Sequence, residues 1–168
     1  MNEDFAKLKS YADYIEFPFK VDGLDSRILI QKMAYILENM GMNLHYYFTW
    51  WRHGPYSPPL ANDYYEWSRG DNNIANVPIN EGEKQGLDLF KNIVDANIPL
   101  LEAIATLMYK NYVYRDLNEV LTLTKKLKPH PDDGIIIKAQ NKAKELLFKP
   151  EYLTEELKKE INEWQQFD

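Results

Sequence analysis

Apolar residues recur at helical spacing along most of the chain, and capping residues mark where several helices begin and end. The first four helices are predicted at about residues 4–16, 26–40, 58–69 and 81–96, and a fifth opens with Pro99. The next helix begins at an Asp116–Glu119 capping box and ends at Pro129 and Pro131. Another follows Asp132 or Asp133 through about Phe148, and the last carries Leu153, Leu157, Ile161 and Trp164 along one side. The fifth helix is apolar nearly all round, with a narrow polar line at Glu102 and Thr106. We therefore expect it to form the central rod of the core.

Between the second and third helices, the chain alternates in the way that is typical of a strand. One face of the predicted strand comprises Leu44, Tyr46, Phe48 and Trp50, and the other comprises His45, Tyr47, Thr49 and Trp51. Because both faces are aromatic, the strand is either covered on both sides or presents one side as a recognition surface. The turn-rich segment 71–80 is the candidate for a second strand. The elements together predict a mainly α (α+β) fold, a compact bundle of about seven helices with a small two- or three-stranded sheet, in a single domain over residues 1–168.

The second helix carries polar and apolar residues whose positions are not fully explained by a core arc. The helical wheel places Leu29, Ile30, Met33, Ile36, Leu37 and Met40 in the arc, and Arg27, Gln31 and Glu38 opposite it. Lys32 lies on the flank, while Ile28 and Tyr35 fall among the polar residues. These two are explained either by packing at the edge of the domain or by contact with a partner.

The segment RHGPYSPP, which begins at Arg52, predicts a rigid turn leading into the third helix. Gly54 allows backbone angles that other residues avoid, Pro55 fixes the next angle, and Pro58 pushes Ser57 out of the helical region. Ser57 is thus suited to be the N-cap, and its hydroxyl is expected to accept a hydrogen bond from the Leu60 amide, since Pro58 and Pro59 have no N–H. Gly70 is expected to end the helix.

Composition narrows the class of protein. The 168 residues suit one domain, and 45% apolar with 27% charged residues describes an ordered chain. Cysteine is absent, which excludes disulfides, thiolate zinc sites and cysteine nucleophiles. The N-terminus lacks an apolar signal-like region and no apolar run approaches the ~20 residues of a membrane span, so we expect a cytoplasmic protein without membrane association. The net charge of −6 disfavours nucleic-acid binding by bulk charge, although a local basic patch remains open.

The residues that could carry chemistry form no recognised catalytic or metal-binding motif. Ser57 and His53 lie four residues apart, but a nucleophile and base also need an orienting group and an oxyanion hole. A metal site can be assembled on paper from His45, His53, Asp63 and Glu66, and another around His130, but neither matches a known ligand spacing. We therefore assign no catalytic residue, no metal ligand and no cofactor.

Binding is the better hypothesis for the segment around Arg52. Tyr, Trp and Arg are the preferred anchors of protein interfaces. Structural packing is the alternative for the same side chains, and a phosphate contact by Arg52 and His53 is a third. Glu102 in the apolar fifth helix needs a partner, for which we propose Lys32 or Arg52. The candidate partner-binding residues are Lys32, Tyr35, Tyr46, Trp51, Arg52, His53 and Tyr56.

Three segments resemble the YwgA-like proteins and the wider Panacea or SocA-like antitoxin domain family. They are RILIQKMAYILENMG, the stretch from Tyr46 to Tyr65 with RHGPYSPPL at its centre, and PLLEAIATLMY followed by LTKKLKPH. The resemblance covers roughly residues 25–148 and is closer to the YwgA-like pattern. It implies a mostly helical domain with a few short strands. It also implies an antitoxin-like role, in which the domain neutralises a toxin or delivers it as a client to a protease.

The sequence therefore favours a non-enzymatic regulatory or protein-interaction domain that is antitoxin-like, with a toxin or a protease-delivered client as the partner. The alternative is a nucleic-acid-associated regulator that uses helix 26–40 or 58–69 with the small sheet in a winged-helix-like way. A hydrolase or nucleotide-binding enzyme has the least support, because no phosphate loop, triad or metal motif is present. The oligomeric state is left open.

Overall fold

The computed structural model describes residues 2–70, 73–127, 132–149 and 154–166. Within these ranges the chain forms eight helices and one two-stranded antiparallel sheet. The elements are α1 (Glu3–Tyr14), α2 (Leu24–Asn39), β1 (Thr49–Trp51), β2 (Gly54–Tyr56), α3 (Pro58–Arg69), α4 (Glu81–Ile93), α5 (Ile98–Tyr109), α6 (Leu117–Thr124), α7 (Asp133–Leu147) and α8 (Glu155–Gln165). This architecture confirms the prediction of a mainly helical fold with a small sheet.

Helix α5 is the centre of the core, as its apolar sequence predicts. It packs against α2, α7 and β2, and α7 in turn contacts α4 and α6. The buried residues of α5 are Leu100, Leu101, Ala103, Ile104, Ala105, Leu107 and Met108. Glu102 and Thr106 are only partly buried, and they face the β1–β2 hairpin. The predicted polar line therefore marks the side of α5 on which the hairpin rests.

Helix caps explain most of the helix starts. The Ser57 hydroxyl accepts from the Leu60 amide at 3.3 Å, as predicted. Asp116 caps α6 through the Asn118 and Glu119 amides, but the Glu119 carboxylate pairs with Arg115, so the predicted reciprocal half of the box is wrong. A complete capping box, which the sequence reading did not identify, lies instead at the start of α4.

That box gives a stability prediction. The Asn80 side chain accepts from the Glu83 amide at 2.8 Å, and the Glu83 carboxylate accepts from the Asn80 amide at 3.3 Å. Asn80→Ala is expected to lower the free energy of unfolding by about 1 kcal/mol, because the first turn of α4 loses its side-chain acceptor. Urea unfolding measures this, with Asn92→Ala on the exposed surface of α4 as the matched control. Equal unfolding midpoints for the two variants would contradict the prediction.

The predicted strand from Leu44 to Trp51 is wrong over its first half. The burial alternates as expected along the whole stretch, but only Thr49–Trp51 pairs in a sheet. The Glu38 carboxylate accepts hydrogen bonds from the Leu44 amide at 3.1 Å and the Tyr46 amide at 3.0 Å. A side chain of α2 thus takes the place of a neighbouring strand here, and His45 interrupts the extended path with φ of 61°.

The partner of β1 also differs from the prediction. Residues 73–80 form no strand, and residues 71 and 72 lie outside the described part of the chain. The Val77 amide instead donates to the Ser10 hydroxyl of α1 at 2.8 Å. The second strand is β2, within the segment that the sequence predicts as a rigid turn, and Trp51 pairs with Gly54 across the loop of Arg52 and His53.

Other boundaries shift by a few residues. Helix α4 ends at Ile93 rather than near residue 96, since Asn97 already caps α5 by accepting from the Leu100 amide. Predictions for Pro129, His130, Pro131 and Leu153 fall outside the described residues. Across the parts of the chain that the structure describes, no helix combines the length and the apolar content required to cross a bilayer.

Candidate binding cleft

The hairpin, residues 49–56, is anchored to α2 by a buried amide side chain. Gln31 accepts from the Ser57 amide at 2.8 Å and donates to the Ser57 carbonyl at 3.0 Å. Gln31 is 3% exposed, so its predicted position opposite the core is wrong. Its amide reproduces the donor and acceptor of a strand neighbour, which fixes the chain where β2 passes into α3.

Lys32 provides the second anchor. Its ammonium is buried and donates to the Pro55 carbonyl at 2.8 Å. Gly54 has φ of 93°, and a Cβ at that position would lie 3.2 Å from the Thr106 hydroxyl and 3.4 Å from the Lys32 ammonium. Only glycine combines this backbone angle with so close an approach to α5 and α2, which explains the residue before Pro55.

A charged group lies beneath the hairpin loop. His53 Nδ1 is 3.3 Å from a Glu102 carboxylate oxygen. The direct partner of Glu102 is therefore His53, and the prediction of Lys32 or Arg52 is wrong. Burial raises the pKa of Glu102, while the nearby His53 and Lys32 charges oppose the rise. Burial lowers the pKa of Lys32 to about 8, and the charge of Glu102 opposes that shift. Lys32 and Glu102 thus influence each other through their charges, without forming a direct ion pair.

The two tryptophans of the hairpin face opposite ways. Trp50 packs against Tyr109 of α5 with ring centroids 5.4 Å apart, and the Lys110 ammonium lies 4.3 Å from the Trp50 ring. Trp51 is 60% exposed, and its ring centroid lies 5.9 Å from that of Tyr56. Tyr47 on the same side of the segment is 61% exposed. The sequence left two alternatives, a strand covered on both faces or a strand with one face free for recognition. The face that carries Tyr47 and Trp51 is uncovered, as the second alternative requires.

A cleft of about 250 Å³ opens between α2, the hairpin and α3. Its residues come from three segments that are distant in sequence, namely Leu24, Arg27, Ile28, Gln31 and Lys32 of α2, Trp51, His53, Gly54 and Tyr56 of the hairpin, and Tyr64 and Tyr65 of α3. The side chains are mainly aromatic and aliphatic, with a few cationic groups. Such a concave surface with few polar groups is the usual form of a binding site.

Four of the seven predicted partner-binding residues line this cleft: Lys32, Trp51, His53 and Tyr56. Arg52 is exposed at the hairpin loop beside them. Tyr35 and Tyr46 lie elsewhere and are buried, at 7% and 8% exposure. Tyr35 packs edge-on against Phe48 at 5.0 Å. The Tyr46 hydroxyl donates to the Asp63 carboxylate at 2.6 Å. Burial is the main cause that raises the pKa of Tyr35 and of Tyr46.

The residues considered for catalysis or metal binding are held in separate places. The Ser57 side chain is buried and serves as a cap. His45 pairs with Asp4 at 3.0 Å, His53 with Glu102, and Asp63 with Tyr46. Among the described residues, no three histidine or carboxylate side chains converge as metal ligands would. These candidate side chains therefore serve as a helix cap or pair with other residues.

The predicted partner-binding residues do not include the other seven residues that line the cleft: Leu24, Arg27, Ile28, Gln31, Gly54, Tyr64 and Tyr65. The sequence explains Ile28 either by packing at the edge of the domain or by contact with a partner. Ile28 is 9% exposed, which favours packing within the domain. No local signal identifies Gln31, because its hydrogen bonds to Ser57 join two segments that are distant in sequence. In comparisons with known proteins, no family model matches the chain, and no curated protein or solved structure is detectably similar to it.

Proposed function

We propose that the chain is a non-enzymatic, antitoxin-like protein-interaction domain whose partner binds at the cleft and its rim. The carrying observation is Trp51, a large aromatic side chain that is 60% exposed at the mouth of an apolar cleft. Tyr65 is 39% exposed on the opposite wall. The few residues that dominate the binding free energy of protein interfaces are most often tryptophan, tyrosine and arginine, and this cleft with its rim combines all three types.

The hairpin is suited to presenting these groups in a fixed arrangement. Its base is attached to α2 through Gln31 and Lys32, while its loop rests on Glu102 of α5. The resemblance of the Gln31-Lys32 and GPYS segments to Panacea-type antitoxins supports the same proposal from the sequence. A toxin or a protease-delivered client is the partner class that this resemblance favours.

The charge distribution supports a protein partner over nucleic acid. Lys32 is 2% exposed and bonded to Pro55, so it is not placed to neutralise a phosphate backbone. Most of α2 is buried against α5 and β2 and does not present a free face to a groove. With a net charge of −6, the chain also lacks the general attraction that nonspecific nucleic-acid binding needs.

A capture experiment tests the proposal. Partners recovered from the native cell with wild-type protein are identified and purified, and their affinities for variants are then measured directly. Trp51→Ser is expected to weaken binding by at least about tenfold, because loss of an aromatic anchor costs about 2 kcal/mol or more. Trp164→Ser on α8 is the matched control, since Trp164 is 71% exposed and does not line the cleft.

The antitoxin-like role has its own readout. The recovered partner, expressed alone, is expected to slow growth, and co-expression of wild-type protein but not Trp51→Ser should restore it. Unchanged affinity in Trp51→Ser would remove the cleft from the mechanism. A partner that binds at the cleft but has no effect on growth would leave an interaction domain without a neutralising role.

A further inference from the structure

The cleft carries cationic groups without an acidic side chain in its wall. Arg27 and Lys32 line it together with the His53 ring, and none of the described lining residues is aspartate or glutamate. Glu102 lies behind His53, on α5, and does not line the cleft. The charge of Glu102 offsets that of Lys32, whereas Arg27 forms no ion pair within the described residues.

One of the basic side chains, Arg27, has more N–H groups than partners. The Arg27 guanidinium donates to the Val21 carbonyl at 3.3 Å and lies 5.8 Å from the centre of the Tyr65 ring. Its planar fork has five N–H groups, so several are left for a ligand. Lys32 is 2% exposed and its ammonium donates to the Pro55 carbonyl, so it is not placed to bond a ligand directly. A ligand that accepts hydrogen bonds and carries negative charge complements this wall.

The remainder of the cleft is apolar. Trp51 and Tyr56 form one side, and Leu24 and Ile28 line the other. A volume of about 250 Å³ has room for a large side chain in addition to a small charged group. Inorganic phosphate or another small anion would use Arg27 and leave these apolar surfaces in water, whereas a peptide can cover both.

We propose that the cleft binds a peptide segment of the protein partner in which an acidic residue adjoins an aromatic residue. The acidic side chain pairs with the Arg27 guanidinium, whose planar fork matches a carboxylate. The aromatic side chain occupies the apolar part of the cleft beside Trp51. This inference rests on the proposed function and specifies the chemistry of the partner.

Blocked peptides test it with the intact protein. The probe is acetyl-Ser-Gly-Glu-Trp-Gly-Ser-amide, compared with the same peptide carrying Gln for Glu or Ala for Trp, and binding is followed through the amide and indole NMR signals. The Glu-Trp peptide is expected to shift the Trp51 indole and Gly54 amide signals. Each replacement should weaken binding by about tenfold, because the Gln peptide lacks the charge that pairs with Arg27 and the Ala peptide lacks the aromatic ring that fills the apolar part of the cleft.

Protein variants provide the reciprocal test. Arg27→Gln is expected to bind the Glu and Gln peptides equally, while Arg69→Gln, an exposed arginine outside the cleft, should retain the preference. Absence of a preference in wild-type protein, or no binding of the Glu-Trp peptide, would overturn the inference. Inorganic phosphate that shifts the same signals as strongly would also overturn it, by assigning the cations to a phosphate ligand.

The failure of this inference is distinguishable from failure of the proposed function. If Trp51→Ser abolishes capture of the protein partner while the peptides show no charge preference, the cleft is an interface for a different kind of segment. If Trp51→Ser leaves capture intact, the proposed function itself fails, whatever the peptides show.

Discussion

Gln31→Leu is expected to lower the free energy of unfolding by about 3 kcal/mol, the largest effect of a single polar substitution near the cleft. The change keeps an apolar stem but removes both hydrogen bonds to Ser57. The Ser57 amide then lacks an acceptor in a buried site, and a buried polar group without a partner costs about 1–3 kcal/mol. The Ser57 carbonyl keeps its helical bond from the Ala61 amide at 3.1 Å.

Chemical denaturation measures this loss. Gln85→Leu, at an exposed position on α4, is the matched control and is expected to change stability by less than about 0.5 kcal/mol. A loss in Gln31→Leu no larger than in the control would show that water or a neighbouring group satisfies Ser57. The anchoring function assigned to Gln31 would then be wrong.

Stability is expected to rise by about 2 kcal/mol as the pH increases from about 7 to about 10, through Lys32. Burial lowers the pKa of this lysine from 10.5 to about 8 in the folded protein. Between these two values the unfolded chain binds more protons than the folded one, so the free energy of unfolding increases with pH. Each unit of difference in pKa corresponds to about 1.4 kcal/mol of stability. Most of the pH range between the folded and unfolded pKa values of Lys32 lies below pH 10, so most of the gain is reached by that pH.

Lys32→Met isolates this contribution, because methionine retains much of the side-chain volume but has no proton to release. The variant is expected to lose the rise between about pH 8 and pH 10, in urea unfolding followed at several pH values. Above about pH 10 both proteins should become less stable, since burial raises the pKa of Tyr35 and Tyr64 to about 12 and the unfolded tyrosines ionise first. Parallel profiles for wild type and Lys32→Met would contradict the assignment.

Local patterns were sufficient to predict the helices and several caps. Apolar spacing identified α5 as the central helix, and the prolines after Ser57 identified the start of α3. The same approach failed at Leu44–Phe48, because alternation reports which side chains face the core and not whether the backbone has a strand neighbour. Only the position of Glu38 in the folded chain shows what takes the neighbour's place.

The candidate site was predicted in part. Trp51, His53 and Tyr56 were found because they are close in sequence and belong to residue types that favour interfaces. Tyr35 and Tyr46 belong to the same types, yet contacts with Phe48 and Asp63 bury them. Gln31 and Arg27 contribute through the packing of α2 beside the hairpin, which is separated from them by about twenty residues of chain. Periodicity within one helix contains no information about that distant contact.

Ser57 links the mouth of the cleft to the cooperativity of folding. Its amide and carbonyl bond to α2, its hydroxyl caps α3, and its carbonyl also accepts the first helical bond from Ala61. Local opening of the turn would break these four hydrogen bonds together, so it costs more free energy than the fraying of an unanchored loop. A partner therefore meets a surface whose conformational entropy was already lost when the chain folded, and the entropic penalty of association is correspondingly smaller.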